Sequence, residues 1–297
     1  MVSEPNCTLS IVVPVHNMAG RLGNLESAVK KSREFQLPIQ FILIQDGKDV
    51  ETQNELNALA GTYGLFYRQI DVSSPGLARN AGIELCTSEW VTFWDSDDLG
   101  NPFEVVQAIQ NAPAGTKVVV GSYREFDSNS GTTSKVYAPS KSINYLMLNP
   151  GIWRFAFKRD FISNKRFPEE SMGEDQVFLA KLKIDTREWV LSKTLFYTYF
   201  TNVPNQLTSS PDKVMELKSS LFKINEVADS ISWRLIYIYV IRAKLYLTAY
   251  KKNVITGKTV IESILGNSGD DLQNRLKCFV GYFMTCLFLL KQAMFVR

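Results

Sequence analysis

Histidine is nearly missing from this chain: His16 is the only one among 297 residues. Cysteine is scarce too, and Cys7, Cys86, Cys278 and Cys286 form no C-x-x-C pair and stand near no histidine. A zinc site and a disulfide framework are therefore unsupported, and a reducing compartment fits best. No run approaches the ~18 apolar residues that a bilayer span requires. The uncharged stretch from Cys278 to Leu290 has only thirteen residues, between Lys277 and Lys291. No basic, apolar, cleavable leader precedes the strand-like run at Leu9, so the expectation is a cytoplasmic protein without a secretory signal. Internal repeats and low-complexity segments are also absent.

What is present describes an ordinary globular chain with ample core, 45% hydrophobic and 21% charged. Its length admits one large α/β domain, or one domain with an appendage. The net charge of +3 conceals an uneven distribution. Residues 218–297 hold 8 Lys and 4 Arg against 2 Glu and 3 Asp, so they carry +7 and the first 217 residues −4. An acidic front and a basic, aromatic back point to two different jobs.

Thr8 to Val15 is rich in β-branched residues and reads as a strand, followed by His16 and Asn17. Ile39 to Gln45 is a second strand ending at Asp46-Gly47, and Leu65 to Ile70 a third. Trp90 to Trp94 and Lys117 to Ser122 supply two more. Between them Asn24 to Lys31, Glu51 to Tyr63, Leu77 to Cys86 and Phe103 to Asn111 read as helices. The turn Ser128 to Gly131 predicts a hairpin joining Tyr123–Asp127 to Thr132–Tyr137. Further on, Glu174 opens an amphipathic helix after Gly173, Leu195 to Phe200 is strand-like, and the polar stretch Asn202 to Pro211 is a loop able to cover a ligand. Strands and helices alternating at these lengths predict an α/β fold with a mainly parallel central sheet flanked by helices.

Polar residues recur at the predicted strand ends, which such a sheet gathers along one edge, where ligands bind. The densest group is Asp95-Ser96-Asp97-Asp98, three carboxylates within four residues. Like charges that close need compensation, and a hard divalent cation supplies it. Mg²⁺ or Mn²⁺ is held through one or two carboxylates and keeps positions for substrate phosphates. On these residues alone, a solvated acidic turn capping the next helix is the ordinary reading, and only the rest of the chain argues against it.

Taken together, these stations resemble the family 2 glycosyltransferases over roughly residues 8 to 208. Ile11-Val12-Val13-Pro14-Val15-His16-Asn17 is similar to that family's opening strand, with His16 where members usually carry Tyr. Ile44-Gln45-Asp46-Gly47 resembles its Asp-Asp-Gly-Ser station, with Gln45 in place of the first acid. Gly76 to Ile83 is close to Gly-x-x-x-Ala-Arg-Asn-x-Gly, Asp95 to Asp98 resembles the metal motif, and Gly173-Glu174-Asp175 the Glu-Asp motif. Trp153 to Arg159 and Phe167-Pro168-Glu169 resemble the linker before the acceptor site.

The resemblance implies a GT-A fold with a helical C-terminal appendage. It implies a catalytic domain over 1–212, its nucleotide-sugar half about 8–122 and its acceptor half about 123–212, followed by a basic, aromatic helical region over 213–297. It also implies inverting transfer from a nucleoside diphosphate sugar, a UDP-sugar by family tendency, to a glycan or lipid-linked acceptor in cell-surface polysaccharide synthesis. Asp97 falls at the position of the metal ligand, Asp95 at that of the nucleotide or metal contact, and Asp98 serves either. Pro14, His16, Asn17, Asp46, Arg79 and Ser96 fall in the donor-binding stations. Glu174 and Trp153 fall to the acceptor, and Asp175 to the general base.

Two alternatives remain. A sugar nucleotidyltransferase would show a Gly-rich basic loop after the first strand, whereas Val15 to Arg21 holds one Gly and one basic residue. A degenerate, binding-only relative would have no need to keep Asp95, Asp97 and Asp175 together. The basic tail, with Ile231 to Tyr250 at its centre, reads as helices for core packing, for peripheral contact with the cytoplasmic face of the inner membrane, or for a homo-oligomer. No recognition motif for nucleic acid accompanies its charge.

Overall fold

The computed structural model describes residues 8–139, 146–147, 151–203, 214–228, 235–266 and 272–295. Most of the predicted loop between Asn202 and Pro211 lies outside the described residues, as does Ile231 to Arg234. The chain divides into two compact units. One comprises Met1–Pro139, Ile152–Glu169 and Arg187–Pro204, and the other Ser140–Gly151, Glu170–Thr186 and Asn205–Arg297.

The first unit is built on β1 (Leu9–Val15), β2 (Ile39–Asp46), β3 (Phe66–Ile70), β4 (Trp90–Phe93), β5 (Leu99–Gly100), β6 (Val118–Asp127), β7 (Phe155–Lys158) and β8 (Trp189–Thr201). Its helices are α1 (Gly23–Glu34), α2 (Val50–Tyr63), α3 (Pro75–Leu85), α4 (Pro102–Gln110) and the single turn α5 (Arg159–Ile162). The strands form one sheet in the order β3-β2-β1-β4-β7-β6-β8-β5. β3, β2, β1 and β4 run parallel; β7 enters antiparallel between β4 and β6, and β6 and β8 are again parallel. The sheet is thus parallel in its first half and mixed in its second.

The alternation of β1 explains how helices cover both faces. Leu9, Ile11, Val13 and Val15 point into a core shared with Leu25 and Val29 of α1, Leu56 of α2 and Val105 of α4. Val12 faces the other way, against α3. There Gly82 brings the helix backbone so close that an added Cβ would lie 2.2 Å from a Val12 methyl. Local signals end these helices where expected. Asp49 accepts the Thr52 N–H at the start of α2, and left-handed Gly64 closes it. Ser74 caps α3 by accepting the Leu77 N–H, with Pro75 in the first turn.

The predicted hairpin forms, but without a continuous ladder. The turn forms, with the Asp127 carboxylate accepting the Asn129 N–H at 2.9 Å. The returning chain closes on β6 through backbone bonds, among them Ser134 N–H to the Glu125 carbonyl at 2.8 Å and Tyr137 N–H to the Tyr123 carbonyl at 2.7 Å, but its bridges, Tyr123 to Tyr137 and Phe126 to Thr133, stay isolated. These differ in register by one residue, and such a slip breaks a ladder. The regular partners of β6 are β7 and β8.

The second unit contains α6 (Glu174–Leu182), α7 (Leu217–Ala228), α8 (Tyr237–Lys251), α9 (Gly257–Leu265) and α10 (Leu272–Phe295). α8 is apolar nearly all round and buried from Tyr237 to Ala243, the mark of a central helix. α6, α7, α9 and α10 all pack against it. The segment before α6 is fastened to α7: Glu170 pairs with Lys223, and the Met172 carbonyl accepts the Ser220 hydroxyl at 2.6 Å. Among the described residues no helix is long and apolar enough to cross a membrane.

Gly82→Ala is expected to cost about 1–3 kcal/mol through overpacking against Val12. The thermal midpoint should fall by several degrees, measured by calorimetry, although alanine is the better helix former. An unchanged midpoint would show that α3 has room to withdraw.

Candidate active site

β2, β1 and β4 are parallel neighbours, so their C-terminal ends share one edge of the sheet. At the end of β2, the Asp46 carboxylate accepts three backbone N–H groups, from Val72 at 2.8 Å, Ser73 at 2.9 Å and Ser74 at 2.8 Å. These charge-assisted bonds hold the loop after β3 and fix Ser73 in a left-handed conformation at φ 53°. They leave the carboxylate with about one free acceptor position. His16, at the end of β1, donates from Nδ1 to the Asp46 carbonyl at 2.6 Å, which requires the ring proton on that nitrogen. Nε2 then accepts the Asn17 side-chain amide at 3.2 Å. Gly47 follows in a left-handed backbone at φ +112°, which favours glycine; a Cβ there would only touch the ring, at 3.4 Å from Nδ1.

Gln45 has a local reason as well. Its amide donates to the Asp49 carbonyl at 2.8 Å and accepts the Tyr67 hydroxyl at 2.5 Å. An ionised acid could accept the second bond but not donate the first.

At the end of β4 the arrangement is organised by two consecutive residues of α3. Arg79 donates to Asp95 Oδ1 at 2.9 Å, and its guanidinium lies 5.5 Å from the centre of the Phe167 ring. Asn80 fixes that ring by bonding both backbone groups of Phe167, accepting the N–H at 2.8 Å and donating to the carbonyl at 2.9 Å. Phe167 in turn packs edge-on against Phe93 of β4. The Asp95 N–H donates to the Tyr197 hydroxyl at 2.9 Å, and the Asp97 carbonyl accepts the Asn24 side chain at 3.0 Å. Asp98 is 4% exposed; Oδ1 accepts the Phe200 N–H at 2.7 Å, while Oδ2 is buried without a hydrogen-bond partner.

Electrostatics follow from this burial. Burial, and then the charges of Asp95 and Asp97, hold the Asp98 carboxyl well above the usual carboxylate range. Burial and Asp95 push Asp97 in the same direction, with Arg21 acting against them. Burial and the same carboxylates raise the Tyr197 and Tyr199 hydroxyls. Among the described residues no group of three or more His, Cys, Asp or Glu converges around a metal position. The segment nevertheless fits a hard divalent cation that takes only one or two carboxylates. It carries surplus negative charge, one orphaned carboxylate oxygen and all-oxygen donors.

The remaining expected residues lie as follows. Pro14 is half-buried within β1, and Ser96 is buried between the two aspartates. Trp153 is 7% exposed and stacks on Tyr197 with centroids 4.7 Å apart, so its ring serves the core and offers little surface to a sugar. Glu174 is buried and Asp175 half-buried in the first turn of α6, in the helical unit, where Asp175 Oδ1 accepts the Gln176 N–H at 2.7 Å. Asn24, Tyr197 and Tyr199 were not anticipated. The tyrosines alternate on a run already read as a strand, but nothing local says which face meets the aspartates.

A family model described as Glycosyl transferase family 2 matches residues 10–179, more than half of the chain. The chain belongs to that family. An uncharacterized glycosyltransferase of Haemophilus influenzae is 28% identical over 183 residues, covering 59% of this chain and 72% of the relative. Among solved structures, S. aureus TarS 1–349 in complex with UDP-GlcNAc aligns with a TM-score of 0.61 at 14% identity, covering 92% of this chain and 79% of that one. The mannosyltransferase PcManGT from Pyrobaculum calidifontis, in complex with GDP-Man and Mn²⁺, aligns at 0.53 and 11%, covering 94% and 86%. At such identities the likeness establishes the GT-A fold alone. The family 2 match runs from β1 into α6 and so takes in every station described above.

For this family 2 chain, metal-free Asp98→Asn is expected to be more stable than the native protein at pH 7, with the difference closing toward pH 4. Well below pH 4, Asp98 is protonated in both folded and unfolded chains and costs nothing. As pH rises, the unfolded chain releases its proton first, and the fold loses stability until its own raised pKa is passed. Urea unfolding across this range measures the effect; a variant less stable than native at pH 7 would contradict it.

Proposed function

We propose that this glycosyltransferase is inverting and metal-dependent, and that it transfers a hexosyl or N-acetylhexosaminyl group from a UDP-sugar. The acceptor is read as a hydroxyl of a glycan or lipid-linked intermediate in cell-surface polysaccharide synthesis. The observation that carries the reading is the Asp95-Ser96-Asp97-Asp98 segment at the C-terminal end of β4, braced by Arg79. Support for the donor comes from TarS, solved with UDP-GlcNAc and with UDP, and for the metal from PcManGT, solved with Mn²⁺.

In this reading Asp97 and Asp95, with Asp98 behind them, hold Mn²⁺ or Mg²⁺, which when bound neutralises the departing diphosphate. Arg79 positions Asp95 through their ion pair. Asp46 and His16 shape the base end of the donor pocket, Asp46 by holding the loop 72–74 and His16 by locking β1 to β2. Asp175 accepts the proton of the attacking hydroxyl during the displacement, because a sugar hydroxyl is far too weak an acid to ionise beforehand. One base and one direct displacement give inversion. Glu174 shapes the acceptor side.

The catalytic domain is taken as 1–212. The region 213–297 is read as a peripheral contact with the cytoplasmic face of the inner membrane, or as a homo-oligomer surface. Exposed Leu272, Leu276, Phe279 and Phe283 on α10 support that reading.

Thermal unfolding with UDP, GDP and CDP, each with and without Mn²⁺, tests the donor site. UDP at about a hundred times its Kd should add roughly 2.7 kcal/mol of stability, only with metal, and Asp97→Ala should abolish the shift. No shift from any nucleotide would sink the assignment. Asp175→Asn should keep the shift while lowering turnover by about a hundredfold or more. Unchanged turnover would remove Asp175 as the base.

A further inference from the structure

β6 and β8 bring two side chains toward the aspartates that the reading above does not use. β4 is antiparallel to β7 and β7 to β6, while β6 and β8 are parallel. The C-terminal ends of β6 and β8 therefore lie along the edge that carries the ends of β1, β2 and β4, on the side of β4 away from β1. Near those ends Tyr123 pairs with Tyr197, and Glu125 with Tyr199. Alternation along each strand puts these four side chains on one face.

Side-chain contacts tie that face to the aspartates. The Tyr197 hydroxyl accepts the Asp95 N–H, and Trp153 stacks on Tyr197 and also on Tyr199, the latter with centroids 5.8 Å apart and planes 11° apart. One residue on, the Phe200 N–H is bonded to Asp98. Burial, and then the charges of Asp98, Asp95, Asp97 and Glu125, keep the proton on the Tyr199 hydroxyl, so it is a donor. Glu125 is half-buried like Tyr199, and burial raises its carboxyl. Among the described residues neither the Tyr199 hydroxyl nor the Glu125 carboxylate has a hydrogen-bond or ion-pair partner. A donor and an acceptor withdrawn from much of their water and bonded to nothing cost stability without a structural return. Both remain open enough for a ligand to reach.

We propose that Tyr199 and Glu125 form the subsite for the donor sugar, the hydroxyl donating to one sugar oxygen and the carboxylate accepting from a sugar hydroxyl. Neighbouring strands hold the two residues about 4.8 Å apart at the backbone, so a single ring can meet both. The assignment rests on the transferase reading. A cation on the aspartates holds the diphosphate, and the sugar bonded to that diphosphate has to lie close by. The ends of β1 and β2 belong to the nucleotide, which leaves the β6–β8 side to the sugar.

Glu125→Gln and Tyr199→Phe each remove one group and keep the shape. Binding of UDP, UDP-glucose, UDP-galactose and UDP-GlcNAc with Mn²⁺, measured by calorimetry without acceptor, provides the test. The readout is the affinity for the best-bound sugar nucleotide relative to UDP. That ratio should fall about tenfold in Glu125→Gln, whose bond is charge-assisted, and about threefold in Tyr199→Phe, with UDP itself bound as by the native chain. An unchanged ratio in either variant, or a native chain that binds UDP and none of the three sugar nucleotides, overturns the proposal and leaves the transferase reading intact. Equal loss of UDP and sugar nucleotide also overturns it, because the groups would then act through the aspartates. Failure of UDP to bind the native chain defeats both. Ligand-free, the two variants should melt no lower than native; a fall of several degrees would show a structural role and overturn the subsite.

Discussion

Mutual repulsion among Asp95, Asp97 and Asp98 is the constraint around which the sheet unit is arranged. Three carboxylates in four residues cannot be buried together without compensation. The structure divides the task. Asp95 is neutralised by Arg79, Asp98 takes one backbone N–H from β8, and Asp97 keeps the least support. None of this works unless the guanidinium is held still, which is why Asn80 spends both ends of its amide on Phe167. The α3 motif and the aspartate motif are sixteen residues apart in sequence but form one mechanical assembly.

Asp46 and Asp98 show how similar side chains are supported differently. Both end up buried near strand termini. Asp46 receives three N–H donors, enough to make its charge an anchor for the loop 72–74. Asp98 receives one, beside two like charges, and its carboxyl is driven upward. The first arrangement has most of its acceptor positions filled by the protein itself. The second retains an unmet electrostatic demand, which is the physical basis for expecting a cation at β4 and not at β2.

Much of this was legible before the structure. The β-branched runs, Pro75 after Ser74, and Asp46 and Asp95 at strand ends are local signals, and the parallel half of the sheet follows from them. What could not be read depends on partners distant in sequence. The insertion of β7 between β4 and β6 is decided by long-range pairing, and with it the burial of Trp153 against Tyr197. The return from the turn at 128–131 looked like a strand because composition cannot reveal a one-residue slip. Gln45 read as a departure from the station's first acid, and its reason, an amide donating to the Asp49 carbonyl, lies in a contact the motif does not show.

The change in charge near residue 218 suggested a boundary between catalysis and an appendage, but packing draws the line elsewhere. Glu174 and Asp175 begin a helix whose approach is held by Lys223, Ser220 and Glu216 of the C-terminal segment, and just beyond whose far end the Ile184 N–H donates to the Tyr237 hydroxyl. The local geometry of the acidic pair is therefore a product of α7 and α8. Gly173 makes this explicit: its left-handed φ of +83° permits the turn into α6, and a Cβ there would meet Leu245 of α8 at 3.0 Å. A basic, aromatic tail that looked separable by composition is the packing partner that gives the proposed base its position.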